Sequence, residues 1–136
     1  MSKISFQWLK DYRETENDII ILEENLERSK RELKRWVDGD LSDVKLTSDS
    51  EGAKLEERIE KIEKDITFKK ESLESIKNAV QKFNQVDHTI LYARYIEGKT
   101  FDEIADETGY TKGTIYNKHA SLMKTISYFD ELVELI

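Results

Sequence analysis

The sequence predicts an all-α protein: a long N-terminal helical hairpin of coiled-coil type over residues 1–84, then a C-terminal domain over residues 85–136 built on a helix-turn-helix with an extended last helix. Three observations carry that prediction. The chain has no proline and only five glycines, so it has few means of stopping a helix. Apolar residues recur at alternating three- and four-residue steps along most of its length. Charged residues make up 38% and hydrophobic residues another 38%, which suits narrow apolar stripes wrapped by solvated faces better than one thick core.

The first helix is expected over about residues 5–37, where Ile19, Leu22, Leu26, Leu33 and Trp36 recur and Ser29 completes the three-four spacing. On its outer face Glu23, Glu24 and Glu27 stand within a turn of Arg28, Lys30 and Arg31, as in a solvated coiled-coil exterior. Residues 38–52 turn to Asp, Ser, Thr and Gly and read as a flexible connection; the alternation of Leu41, Val44 and Leu46 allows a short extended piece there. A second helix over about 51–83 has the cleanest stripe: Leu55, Ile59, Ile62, Ile66, then Lys69, then Leu73, Ile76, Val80 and Phe83. At 1.5 Å per residue it would extend roughly 50 Å. The two stripes satisfy an antiparallel hairpin within one chain and a bundle across subunits equally well.

A short helix over about 87–96 leads to Glu97-Gly98-Lys99-Thr100. Thr100 and Glu103 then form the S/T-x-x-E pattern of a capping box, which sets the start of the next helix. From Phe101 to His119 the spacing is that of a helix-turn-helix. Ala105 sits where two helices cross closely, Gly109 where the turn needs positive φ, and Ile115 faces inward, with Ile104 and Tyr110 completing a small apolar plug. Thr111 stands as N-cap of the second motif helix, able to accept from the N–H of Gly113 or Thr114. Beyond it the period runs on through His119, Leu122, Ile126, Phe129, Val133 and Ile136, so one long last helix is expected, its later turns packing on the N-terminal hairpin or a second subunit.

A helix presented in this way addresses the DNA major groove with its leading turns. The candidate DNA-binding residues are Thr111, Lys112, Gly113, Thr114, Tyr116, Asn117, Lys118, Ala120, Ser121 and Lys124. Asn117 is the candidate for direct reading, since a carboxamide can bridge N6 and N7 of adenine. Lys112, Lys118 and Lys124 suit phosphates, and Tyr116 suits a sugar, a thymine methyl or the edge of the plug. Arg94, on the helix before the motif, is expected to brace the motif by pairing with Glu103, the alternative being an approach to the DNA backbone. The formal charge of −7 speaks against a general polyanion binder, but no acid occurs between Thr111 and Thr125, while Asp102, Glu103, Asp106 and Glu107 crowd the preceding helix. A cationic face on one helix alone predicts a shallow salt dependence per subunit.

Residues 89–121, including the lead-in Ile90-Leu91-Tyr92-Ala93-Arg94-Tyr95-Ile96-Glu97-Gly98, resemble region 4 of bacterial sigma factors. Placed at the end of a short, charged, helical chain, the motif looks like that of the phage late-gene transcription regulators of the ArpU and RinA kind. The resemblance implies binding near a promoter and activation of phage late genes through host RNA polymerase. Thr108 departs from the pattern, where a large apolar residue is usual, and Lys118-His119 stand where arginine and leucine are common.

The remaining expectations are largely exclusions. There is no cysteine, hence no disulfide, thiolate metal site or thiol nucleophile. The longest aliphatic run, Ile19 to Leu22, is too short to span a bilayer, and no export signal opens the chain, so a cytoplasmic protein that does not engage membranes is expected. His88 and His119 are far apart in sequence and no phosphate loop is present, so neither enzyme, metal nor cofactor is expected. The expected partners are double-stranded promoter DNA, a second copy of the chain in a homo-oligomer, a dimer first, and host RNA polymerase. Two alternatives stand beside the activator: an adaptor that grips polymerase through its acidic helix, and a DNA-packaging recognition protein of the terminase small-subunit type.

Overall fold

The computed structural model describes the backbone of residues 7–38 and 45–135 and the side chains of 7–38 and 50–129. The protein is all-helical, with no strand among the described residues. Helix α1 spans Gln7–Val37, α2 Lys45–Gln81, α3 Gln85–Leu91, α4 Phe101–Thr108 and α5 Lys112–Leu135, and a π-helical turn at Tyr92–Ile96 continues α3. Two boundaries differ from the sequence reading. Helix α2 takes in 45–52, which were expected to be part of a flexible connection, because Asp, Ser, Thr and a single glycine in a helix cost only about 0.5–1 kcal/mol each and a long packed helix overrides them. Leu46 therefore lies in a helix, whereas Leu41 and Val44 lie outside the described residues. Helix α3 begins earlier than expected because Asn84, in extended backbone, accepts from the N–H of Asp87 at 3.0 Å and caps it.

The described residues form two compact units, one of residues 16–72 and one joining residues through 15 with those from 73 onward. That division falls elsewhere than at residue 84, since the first turns of α1 and the last of α2 belong with the C-terminal helices. In the 16–72 unit the two long helices run antiparallel within one chain, with Lys30 paired to Glu63 at 3.8 Å and Lys70 to Glu23 at 3.2 Å. Ile19, Leu55, Ile59 and Ile66 are buried there and Ile62 is half-buried. Glu23 and Lys30 thus pair across the hairpin, and along-helix pairs occur on α2, where Glu57, Glu60 and Asp65 meet Lys61, Lys64 and Lys69.

The other unit has two cores. Leu9, Tyr12, Val80, Leu91, Ile96, Leu122, Met123 and Ile126 form the larger, with Leu73 and Ile76 packed against it. The later turns of α5 therefore bury Leu122 and Ile126 against this chain's own α1 and α2, while Phe129 stays exposed; the side chain of Val133 lies outside the described residues. Ile90, Ala93, Ile104, Ala105 and Ile115 form the smaller core, the plug of the helix-turn-helix. Tyr110 does not belong to it: its ring is exposed, with the Lys118 ammonium 5.7 Å from its centroid, and Val86 and Phe101 close the plug instead. Tyr110 directly follows the left-handed Gly109, where the chain leaves α4, and its ring stays at the surface instead of entering the plug.

The caps define the motif. Thr100 and Glu103 make both bonds of the capping box, 3.1 Å from the Glu103 N–H to Thr100 Oγ1 and 2.9 Å from the Thr100 N–H to Glu103 Oε1. Gly109 ends α4 at φ 81° and Thr111 accepts from the Thr114 N–H at 3.1 Å, starting α5. Thr108, the departure from the region-4 pattern, donates its hydroxyl to Ile104 O at 2.7 Å and so reaches half-burial without an unpaired polar atom. Ile115→Ala should cost about 2–5 kcal/mol in denaturant unfolding of the motif. No atom stands within 4 Å of the position a Cβ would take on Gly109, so only the backbone conformation resists substitution. Gly109→Asn should accordingly fold with a loss well below that of Gly109→Val, which thermal melts of the two variants will show.

Candidate nucleic-acid interface

Burial of Ile115 on one side of α5 determines which side chains of that helix reach solvent. Thr111, Lys112, Gly113, Tyr116, Asn117, Lys118, Ala120, Ser121 and Lys124 are all exposed, and Thr114, whose N–H and hydroxyl both meet Thr111, is half-buried. Lys112 lies 3.3 Å from Asp102, but both side chains are more than 60% exposed, so the pair is worth at most about 1 kcal/mol and gives way readily to a phosphate. Tyr116 meets the edge of Phe101 with ring centroids 5.8 Å apart and remains 59% exposed, so one face covers the plug while the other stays open.

Arg94 braces the motif by a route other than the expected one. Its guanidinium donates to Lys99 O at 3.1 Å and lies 4.4 Å from the centroid of Phe101; Glu103 is engaged in the capping box. The reason lies in the π-helical turn. There the Glu97 N–H reaches Tyr92 O at 3.0 Å and the Lys99 N–H reaches Ala93 O at 2.9 Å, closing the turn over Gly98 at φ 72° and bringing the Lys99 carbonyl to Arg94. Lys99 itself bridges Glu97 and Glu107 at 3.3 and 2.7 Å.

Beside the exposed face of α5 lies an open cleft of about 560 Å³ whose lining includes Lys10, Arg13, Arg94, Phe101, Tyr116 and Ala120. Its floor carries His119 and Tyr95. The Tyr95 hydroxyl lies 2.6 Å from His119 Nε2 and 3.7 Å from Met123 Sδ. Both contacts are satisfied when His119 Nε2–H donates to the Tyr95 oxygen and the Tyr95 O–H donates to the sulfur. Burial lowers the pKa of His119, and the positive charges of Arg94 and Lys10 push it the same way, while burial raises that of Tyr95.

Sequence reasoning missed Lys10 and Arg13. The available signal was the heptad Tyr12, Ile19, Leu26, Leu33, which extends the α1 stripe back past Ile19 and places Lys10 and Arg13 one position after the buried Leu9 and Tyr12. Comparisons with protein-family models, with curated proteins and with solved structures return no match.

The depressed His119 pKa has a defined thermodynamic sign. The unfolded chain binds a proton at the ordinary value near 6.5 and the folded one only below it, so this group's stabilisation is complete above about 6.5 and is lost as pH falls through the folded pKa. The melting temperature should therefore decline as pH falls below about 6.5. In His119→Gln that decline should be shallower, as calorimetry at matched ionic strength will show.

Proposed function

We propose that this protein is a sequence-specific DNA-binding transcriptional regulator that reads the major groove with the first turns of α5, acts as a binding protein without catalysis, and works in the cytoplasm. The single observation that carries the reading is the pairing of a fully buried Ile115 with an exposed Lys112-Tyr116-Asn117 face on one helix, started by the Thr111 cap and free of acidic side chains from Thr111 to Thr125. Asn117 is then the base-reading group, Lys112, Lys118 and Lys124 are phosphate contacts, and Tyr116 packs on the sugar or a thymine methyl.

The resemblance to sigma region 4 and to the late-gene regulators extends the proposal to activation of phage late genes through host RNA polymerase. The hairpin of residues 16–72 is then the surface for polymerase or for a second copy, and the exposed Tyr128 and Phe129 at the far end of α5 suit the same purpose. The adaptor alternative draws less support. Of the four acids that motivate it, Glu103 is engaged in its capping box and Glu107 lies against Lys99, so half of that acidic set is engaged within the motif.

Duplexes enriched from a random library on the purified protein, compared with scrambled controls, test the reading. Lys112→Ala should weaken binding to all duplexes alike. Asn117→Ala should reduce discrimination between enriched and scrambled duplexes by about 1–3 kcal/mol. Wild-type affinity and discrimination in both variants would overturn the assignment of α5.

A further inference from the structure

We infer that the cleft bounded by Lys10, Arg13 and Arg94 is a seat for the DNA backbone, taking a phosphodiester of the strand that flanks the groove read by Asn117. The inference rests on the proposed reading of α5 and adds to it a part of the interface supplied by the N-terminal helix.

Charge singles this cleft out. In a chain with 29 acids against 22 lysines and arginines, it brings together three cations from two separate stretches of sequence, and among the described residues no carboxylate lines it. A cluster of one sign in such a cleft attracts an anion. Position makes that anion a phosphodiester. Tyr116 and Ala120 belong to the cleft wall and follow Lys112 at four-residue steps on α5, so the wall is continuous with the proposed groove-reading face. A duplex engaged by Asn117 carries its nearest backbone past this wall.

The arginines are held ready for an anion. Arg13 donates to Ile96 O at 3.3 Å and Arg94 to Lys99 O at 3.1 Å, each bond using one of the five N–H donors of a guanidinium. Gly98 makes the first placement feasible. A Cβ there would lie 2.7 Å from Arg13 Cζ and Nε, so besides its positive φ this residue leaves the room in which the guanidinium rests. Both arginines are thus oriented by backbone carbonyls of the same π-helical turn and the residues after it, which lowers the side-chain entropy lost on binding. Tyr116 and Phe101 offer ring surface to the adjoining deoxyribose. His119 beneath them is an internal reporter, because a phosphate set among these cations offsets the positive charge that opposes its protonation.

The test uses the full-length protein and a labelled duplex, both an enriched sequence and its scrambled control, titrated by fluorescence anisotropy over a salt series. Lys10→Gln and Arg13→Gln should each weaken binding roughly three- to tenfold and reduce the log–log salt slope by about one, on both duplexes alike. Arg13→Lys should restore much of the slope. In the NMR spectrum of the wild-type complex the His119 imidazole should titrate at higher pH than in the free protein. Lys10, whose loss leaves the Ile96 and Gly98 contacts in place, carries the test if circular dichroism shows Arg13→Gln unfolded. Wild-type slope and affinity in Lys10→Gln and Arg13→Gln, with Asn117→Ala still impaired, would overturn the backbone seat and leave α5 as the reader; an acidic peptide that competes for the cleft without displacing DNA would do the same. Absence of duplex binding by the wild-type protein at every salt concentration would overturn both.

Discussion

Ile115 is the side chain on which the rest of the C-terminal unit depends. With no exposed surface, packed among Ile90, Ala93, Ile104 and Ala105, it fixes the rotation of α5 about its own axis. Rotation matters more here than position. A helix turns about 100° per residue, so a register slip of one residue would carry Asn117 round to the flank and bring Thr114 or Tyr116 into the plug in place of Ile115. The small core pins that angle because Ala105 lets α4 come close and the left-handed Gly109 turns the chain within the short connection of Gly109, Tyr110 and Thr111.

The proposed approach to DNA requires an acidic protein to deal with its own charge. Of its acids near α5, Glu103 accepts the Thr100 N–H on its carboxylate while its own N–H donates to Thr100 Oγ1, and its pKa is lowered by hydrogen bonding to Thr100. Glu107 lies against Lys99, and Asp102 against Lys112. These contacts keep negative charge on α4 and screen it locally, leaving α5 and the neighbouring cleft as the cationic part of the motif's surface. Under the proposed reading, the cations of α5 and of the cleft would supply affinity for any duplex, and Asn117 would supply the discrimination between bases.

The helices were legible in the sequence because their causes are local and periodic. The α2 stripe, the Thr100–Glu103 box, the left-handed Gly109 and the Thr111 cap each depend on residues within one or two turns, and each is found where the spacing put it. Features that require contacts distant in sequence could not be read in the same way. Arg13 meets Ile96 across 83 positions and Tyr95 meets His119 across 24, and nothing periodic announces either contact. The π-helical turn is similarly hidden, since the widening at Tyr92–Ile96 reflects the packing of Ala93 and Ile96 into different cores, and its effect on Arg94 followed only from the geometry. Tyr110 was misplaced for a related reason: an aromatic residue next to a turn glycine suits a plug by composition, but the direction of its side chain depends on how the chain leaves the turn.

Helix α5 takes part in both cores of its unit, and this is where structure and proposed function meet. Ile115 anchors its beginning in the helix-turn-helix plug; Leu122, Met123 and Ile126 anchor the next turns in the core built from Leu9, Tyr12 and Val80. His119 lies between these anchors, its ring edge-on to Phe101 at 5.0 Å and stacked with Tyr95 at 5.7 Å. A continuous helix held at two points cannot rotate at one without straining the other, so the exposed Lys112-Tyr116-Asn117 face keeps its direction even though the plug alone is small. The same two anchors explain why residues from α1 line the cleft beside that face. Leu9 and Tyr12 hold α1 against the second anchor, and Lys10 and Arg13, the residues next to them in sequence, are carried to the edge of α5 by that packing. The apolar contacts that steady the helix are therefore also the means by which distant cations are delivered to it.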